Sequence, residues 1–206
     1  MTQRSRYSVP PGVALMLASL VWPAIAAAQL GLLSPTSSPT LSGSAQAVQA
    51  TVLGTTTALA ATGTLGGSTD ARQASTVIAN IPSLLNGEAL TAATIGWPDQ
   101  VASEASVGSL GVNVAGTNVS ADLVMARALA VSGAPGSGSS DVENLVVNGA
   151  PVTVTGSPNQ TVSIPGGQVI INEQKSSASS TTVNALHIVV PGVADVVIAS
   201  ATAGIS

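Results

Sequence analysis

Residues 184–204 read NALHIVVPGVADVVIASATAG, and their reading decides the fold. Two runs rich in Val, Ile and Ala flank Pro191-Gly192, a turn dipeptide, so the stretch predicts a β-hairpin. The same device recurs upstream. Residues 141–156, DVENLVVNGAPVTVTG, predict a hairpin at Asn148-Gly149, the dipeptide whose backbone best tolerates two successive positive φ angles. Residues 159–174 repeat the scheme around Pro165-Gly166-Gly167. Residues 107–133 read as strand, turn, strand, with Leu110, Val112 and Val114 on one face, Gly111 and Asn113 on the other, and a turn at Gly116-Thr117-Asn118.

Toward the N-terminus the signals are less sharp. Residues 44–63, SAQAVQATVLGTTTALAATG, read as a strand with an irregularity at Gly54. Residues 72–81 form a strand that Pro82 stops, Asn86-Gly87 gives a turn, and residues 88–96 return; helix is the alternative for these segments. GGSTDAR (66–72), APGSGSS (134–140) and KSSASS (175–180) read as loops. Short strands joined by short turns cannot make parallel crossovers. The expectation is an all-β domain, an antiparallel β-sandwich built from hairpins, with a β-solenoid as the alternative. Residues 119–130, VSADLVMARALA, also resemble 192–203, GVADVVIASATA, as a duplicated hairpin would.

Residues 1–28 carry the marks of a secretory signal peptide: Arg4 and Arg6, a short apolar run over 13–21, and Ala26 and Ala28 at the positions a signal peptidase reads. Residues 29–43 form a Ser/Thr/Pro linker, and 44–206 a single domain. Beyond the signal, three basic residues (Arg72, Arg127, Lys175) face nine acidic ones, which disfavours nucleic acid and anionic membrane surfaces. No transmembrane segment is expected in the mature chain. Trp97 is its only aromatic residue, too few for a sugar-stacking platform of the usual kind. With no cysteine, disulfides and closed zinc sites are both excluded.

VNALHIVVPGVADVVIASATAG, LVVNGAPVTV and SIPGGQVIINEQ together resemble the choice-of-anchor P proteins, in the order that family shows them. The resemblance covers most of residues 44–204. It implies an exported, cell-envelope or secreted protein of unknown biochemical activity. No LPxTG-like motif, apolar span or basic tail follows the last strand, so the expectation is free secretion or non-covalent retention.

His187 is the single histidine, and any Ser-His-Asp hydrolase would need it. It alternates with Ala185 and Val189, no G-x-S-x-G elbow is present, and Asp195 lies close enough for a cross-strand polar pair. Packing is therefore the expected role. Asp141 and Glu143 place two carboxylates at a strand entry, too few oxygens for calcium. Trp97-Pro98 reads as a loop or core-edge marker. No catalytic, cofactor or metal residue is assigned. The expected function is a non-enzymatic secreted or surface protein, a structural or interaction module; the alternatives are a hydrolase using His187 and a glycan- or wall-binding module. Its expected partner is itself or another envelope protein, through strand-edge pairing, with the low-charge strand at 192–206 closing the sheet or joining a partner's edge.

Overall fold

Pro191-Gly192 does turn a hairpin, and its two strands lie inside one of two facing sheets. A computed structural model describes residues 39–206; the expected signal peptide and residues 29–38 of the expected linker lie outside them. The strands are β1 Leu41–Val52, β2 Thr55–Ala61, β3 Ala71–Ile81, β4 Leu85–Trp97, β5 Gln100–Val114, β6 Thr117–Val131 and β7 Ser137–Glu143. They continue as β8 Val146–Val147, β9 Ala150–Pro151, β10 Gln160–Ile164, β11 Gly167–Ser176, β12 Ser180–Val190 and β13 Ala194–Ile205. Sheet A runs β10-β11-β12-β13-β1-β2, and sheet B runs β3-β4-β5-β6-β8-β9, with β7 also paired to β6. All pairings are antiparallel, no described residue is helical, and the sheets pack face to face. This is the expected sandwich, not a solenoid.

The core is aliphatic. Leu90, Leu145, Ile171, Leu186, Ile188 and Ile198 are its largest fully buried side chains, with many alanines and valines between them. Small side chains let the layers come close enough for a hydrogen bond to span them. Ser103 Oγ on β5 donates to the Thr202 carbonyl on β13 at 2.6 Å and accepts from Thr94 Oγ1 at 2.7 Å. Three polar groups are thus satisfied inside an apolar interface, where each left unpaired costs about 1–3 kcal/mol.

One row of residues crosses sheet A without pairing. Asn172, Ala185, Ala199, Ala47 and Ala60 face one another in register from β11 to β2, yet the ladder skips them. Asn172, Ala199 and Ala60 have φ of 53°, 53° and 48°. A left-handed residue consumes one position without advancing the two-residue alternation, so the buried set shifts by one. Val196 and Ile198 are buried before the row in β13, and Ala199, Ala201 and Ala203 at and beyond it. The row thus adds consecutive inward pairs: Ala47-Val48, Ala185-Leu186, Ile198-Ala199. Sheet B has comparable unpaired positions in two groups, Val77 opposite Ala89 and Ser109, Asp122 and Asn144 in line, with register shifts between β4 and β5 on both sides of Glu88. There the extra residues are outward or half-exposed, as at Val77-Ile78 and Glu88-Ala89.

Several expectations need correction. Strand β1 begins at Leu41, three residues before the Ser44 boundary. Gly54 is no irregularity: Leu53-Gly54 forms a hairpin turn with φ of 46° and 83°. Asn86-Gly87 lies inside β4, because Pro82 and Ser83 turn the chain earlier; Ser83 has φ of 63° and Leu84 N donates to Ile81 O at 3.0 Å. The turn after β5 is Ala115-Gly116, one residue before the expected one, and Thr117 is buried strand. Half of the loop at 134–140 is strand β7. Gly138 belongs there for contact, since a Cβ would collide with Val183 Cγ2 from the opposite sheet. The Asn148-Gly149 turn forms as expected (φ 51° and 81°), but its hairpin is only β8 and β9.

Of the two expectations for the C-terminal strand, closing the sheet or joining a partner's edge, the structure shows the first in a stronger form: β13 is not an edge but pairs with β12 on one side and β1 on the other. The likeness of 119–130 to 192–203 is not a structural duplication. The alternation reverses at Asp122 in β6 but at Ala199 in β13, non-equivalent positions in the matched segments.

Ala199 tests the reversal. Ala199→Val places a β-branched residue at positive φ in a filled core and is expected to cost about 2–4 kcal/mol. Ala199→Gly relieves the backbone while loosening the unfolded chain and is expected to stay within about 1 kcal/mol of the wild type. Urea unfolding of both variants measures the contrast.

Candidate functional site

The reversal in sheet A also rearranges its outer face. Regular alternation would put His187 beside Ala185. Instead Ala185 turns inward, and Asn184 and His187 face outward three residues apart on β12. On β11, Glu173 pairs with Asn184 in register and Ile170 with His187. The Glu173 carboxylate therefore reaches both. Asn184 Nδ2 donates to Glu173 Oε2 at 2.6 Å, and His187 Nδ1 lies 2.9 Å from the same oxygen. Lys175 Nζ holds the other oxygen, Oε1, at 3.0 Å. The second histidine nitrogen, Nε2, lies 3.1 Å from Asp195 Oδ1 on β13. A parallel bridge crosses the row on β1, where Gln46 Nε2 donates to Gln49 Oε1 at 2.6 Å.

The histidine and its inner carboxylate are nearly enclosed although they sit on an outer face: their side chains are 12% and 11% exposed, against 54% for Asp195. Burial pushes the Glu173 carboxyl up. The Asn184 amide, the Lys175 ammonium and the charge at His187 outweigh it and hold the group below its ordinary value of 4.5. Ionised carboxylates only accept hydrogen bonds. Both contacts of His187 are therefore hydrogen bonds when both ring nitrogens carry protons. In that form the group is a closed chain, Lys175–Glu173–His187–Asp195, that ties three strands together across their outer face.

The expected His187–Asp195 pair forms, as a diagonal contact in which Asp195 is opposite Val189. The other candidates stand apart from it. Asp141 pairs with Arg127 at 3.1 Å, Arg127 is also held by Glu104 at 2.7 Å, and Glu143 is exposed opposite Leu123. No group of three or more His, Asp or Glu among the described residues is arranged to hold a metal ion. Trp97 ends β4 at a tight turn and is 38% exposed. The loop at 66–72 is organised by Asp70, which accepts from Gly66 N at 2.7 Å and Arg72 Nε at 2.8 Å. Glu173 and Asn184 were not singled out from sequence. Their one trace is that they are polar residues inside apolar runs.

A second feature lies at the opposite end of β4 from Trp97. A surface cleft of about 390 Å³ is lined by Asn80, Asn86, Asn113 and Asn118, with Ser83 and Ser120. Its floor is the outer face of β3 to β6, where Asn86 lies over Gly111. Among the described residues no helix is long and apolar enough to cross a membrane.

Glu173 sets a pH dependence. Its folded-state affinity for a proton is lowered, so the unfolded chain binds the proton first as pH falls. The stability it contributes is present above pH 4.5 and declines as pH drops through the lowered folded value. Glu173→Gln is expected to be less stable at neutral pH, and to narrow its gap to the wild type steadily below pH 4.5 in acid titrations of urea unfolding. Comparison with models of known protein families, with curated proteins and with solved structures returned no match for this chain.

Proposed function

We propose that this protein is a non-enzymatic secreted or cell-surface module, structural or interactive in role, and that its histidine cluster is a brace. The observation that carries the reading is the occupation of both His187 nitrogens by carboxylates. A hydrolytic base needs one nitrogen free to take a proton from a nucleophile. Here Nε2 faces Asp195, and no serine or threonine hydroxyl bonds to the ring among the described residues. The resemblance to choice-of-anchor P proteins and the signal-like N-terminus support export. The acidic balance argues against nucleic acid.

His187→Gln separates brace from base. It is expected to lower stability by about 1–3 kcal/mol. It is expected to leave turnover of ester, peptide and glycoside substrates unchanged from the wild type. Wild-type hydrolysis that the variant abolishes overturns the reading.

A second reading, a glycan- or wall-binding module, is favoured by the asparagine-lined cleft. Amide groups can donate to and accept from sugar hydroxyls without an aromatic platform. Binding to purified cell wall is then expected to fall in Asn113→Ala and to persist in Trp97→Ala, because Trp97 lies at the far end of β4. Equal loss in both variants, or no binding by the wild type, rejects it.

A further inference from the structure

We infer that the asparagine-lined cleft takes an uncharged oligosaccharide, a short run of linked sugar rings laid across β3 to β6, and that it rejects acidic polymers. This rests on the glycan-binding reading of the cleft and narrows it to one ligand class. The described residues hold nine asparagines, and five of them engage their side-chain amides within the protein. Asn144 bonds to Asp122, Asn148 to the Asn118 backbone, Asn159 to the Gln174 backbone, Asn172 to the Gly156 carbonyl and Asn184 to Glu173. Asn144, Asn148 and Asn159 are exposed, so exposure alone does not leave an amide unpaired. The four whose amides bond to no other described residue are Asn80, Asn86, Asn113 and Asn118, and all four line the cleft.

The sheet sets these amides out in two rows. Asn80 is in register with Asn86, Asn86 with Gly111 and Gly111 with Ser120; in the next row Asn113 is in register with Asn118. Strands about 4.8 Å apart make the four-strand row roughly 14 Å long, which suits several linked rings better than one. Gly111 keeps the row open. A Cβ there would fall 2.5 Å from Asn86 Oδ1, so its absence seats the Asn86 amide over β5. A carboxamide both donates and accepts, as each sugar hydroxyl does, so one asparagine can bond two neighbouring hydroxyls at once. None of the residues lining the cleft is ionisable. A charged group entering it would lose water without gaining a counter-charge. The surroundings add a sign. Glu88 and Asp122 are exposed on the same face, two residues beyond Asn86 and Ser120. Arg72 and Arg127 lie farther along β3 and β6, and Lys175 is in the other sheet. Uronate and phosphate chains are therefore repelled, while neutral sugars are not.

Binding of the full chain to immobilised polysaccharides tests this, with neutral polymers (glucan, mannan, galactan) set against acidic ones (alginate, pectate). Binding is expected to a neutral polymer and to neither acidic one, and it is expected to persist when salt is raised, because no charge pair carries it. Asn86→Ala and Gly111→Ala are each expected to weaken it about three- to tenfold, as for one lost hydrogen bond, with the melting temperature near that of the wild type. Gly111→Ala keeps every amide and displaces only that of Asn86, so it reads position rather than composition. Asn144→Ala, whose amide is already bonded to Asp122, is expected to bind as the wild type does. Binding to the acidic polymers that matches the neutral ones, or that salt abolishes, overturns the inference and leaves the glycan-binding reading standing. Binding that neither Asn86→Ala nor Gly111→Ala weakens also overturns it, by taking the ligand out of the cleft. A chain that binds no polymer of either class overturns the inference and the glycan-binding reading together.

Discussion

The left-handed row across sheet A is the constraint on which the rest depends. Four of its five members are alanines; of these Ala199 and Ala60, together with Asn172, are left-handed, a conformation that costs an L-residue about 1–2 kcal/mol. The shift it imposes lets Leu186, Ile188 and Ile198 on one side, and Val183, Ala201 and Ala203 on the other, all reach the same interior. Without it, the part of β11, β12, β13 and β1 on one side of the row would present its apolar set to solvent. A core with no aromatic rings has little volume to spare, so such a loss could not be absorbed elsewhere.

The same row explains why a carboxylate lies next to the lone imidazole. Asn184 and His187 look out of phase in sequence, three residues apart in a strand. The inward turn at Ala185 restores them to one face, and Glu173 fills the interval. The charged residues therefore do structural work at the point where the sheet's regular geometry fails. A ladder interrupted in the backbone is bridged by side chains on the outside, at Glu173 and again at Gln46 and Gln49.

What could be read from sequence divides along the range of the interactions. Turns governed by two adjacent residues were legible: Asn148-Gly149, Pro165-Gly166 and Pro191-Gly192 all close hairpins, because positive φ at Gly or a fixed φ at Pro is a local requirement. Asn86-Gly87 misled because a neighbouring turn at Pro82 claimed the chain first. Gly138 misled because its smallness serves Val183 in the other sheet, which no local pattern records. The site was half legible. The His187–Asp195 contact follows from a hairpin register, whereas Glu173 and Asn184 depend on a phase shift at alanines, residues that ordinarily mark nothing. In retrospect the runs Ala47-Val48 and Ile198-Ala199, with apolar residues side by side in alternating strands, are the sign of that shift.

The adjacency of β1 and β13 has a consequence for how the molecule is made. Leu41 is in register with Ile205, so the middle of sheet A joins the two ends of the described chain. As a nascent chain emerges N-terminus first, β1 and β2 can form a hairpin early, and all of sheet B can follow. Sheet A must then wait, with β1 bare along one side, until the last strand is released. Contacts of such long sequence separation slow folding. Sheet A is therefore completed only when residues 194–205 are free to pair between β12 and β1.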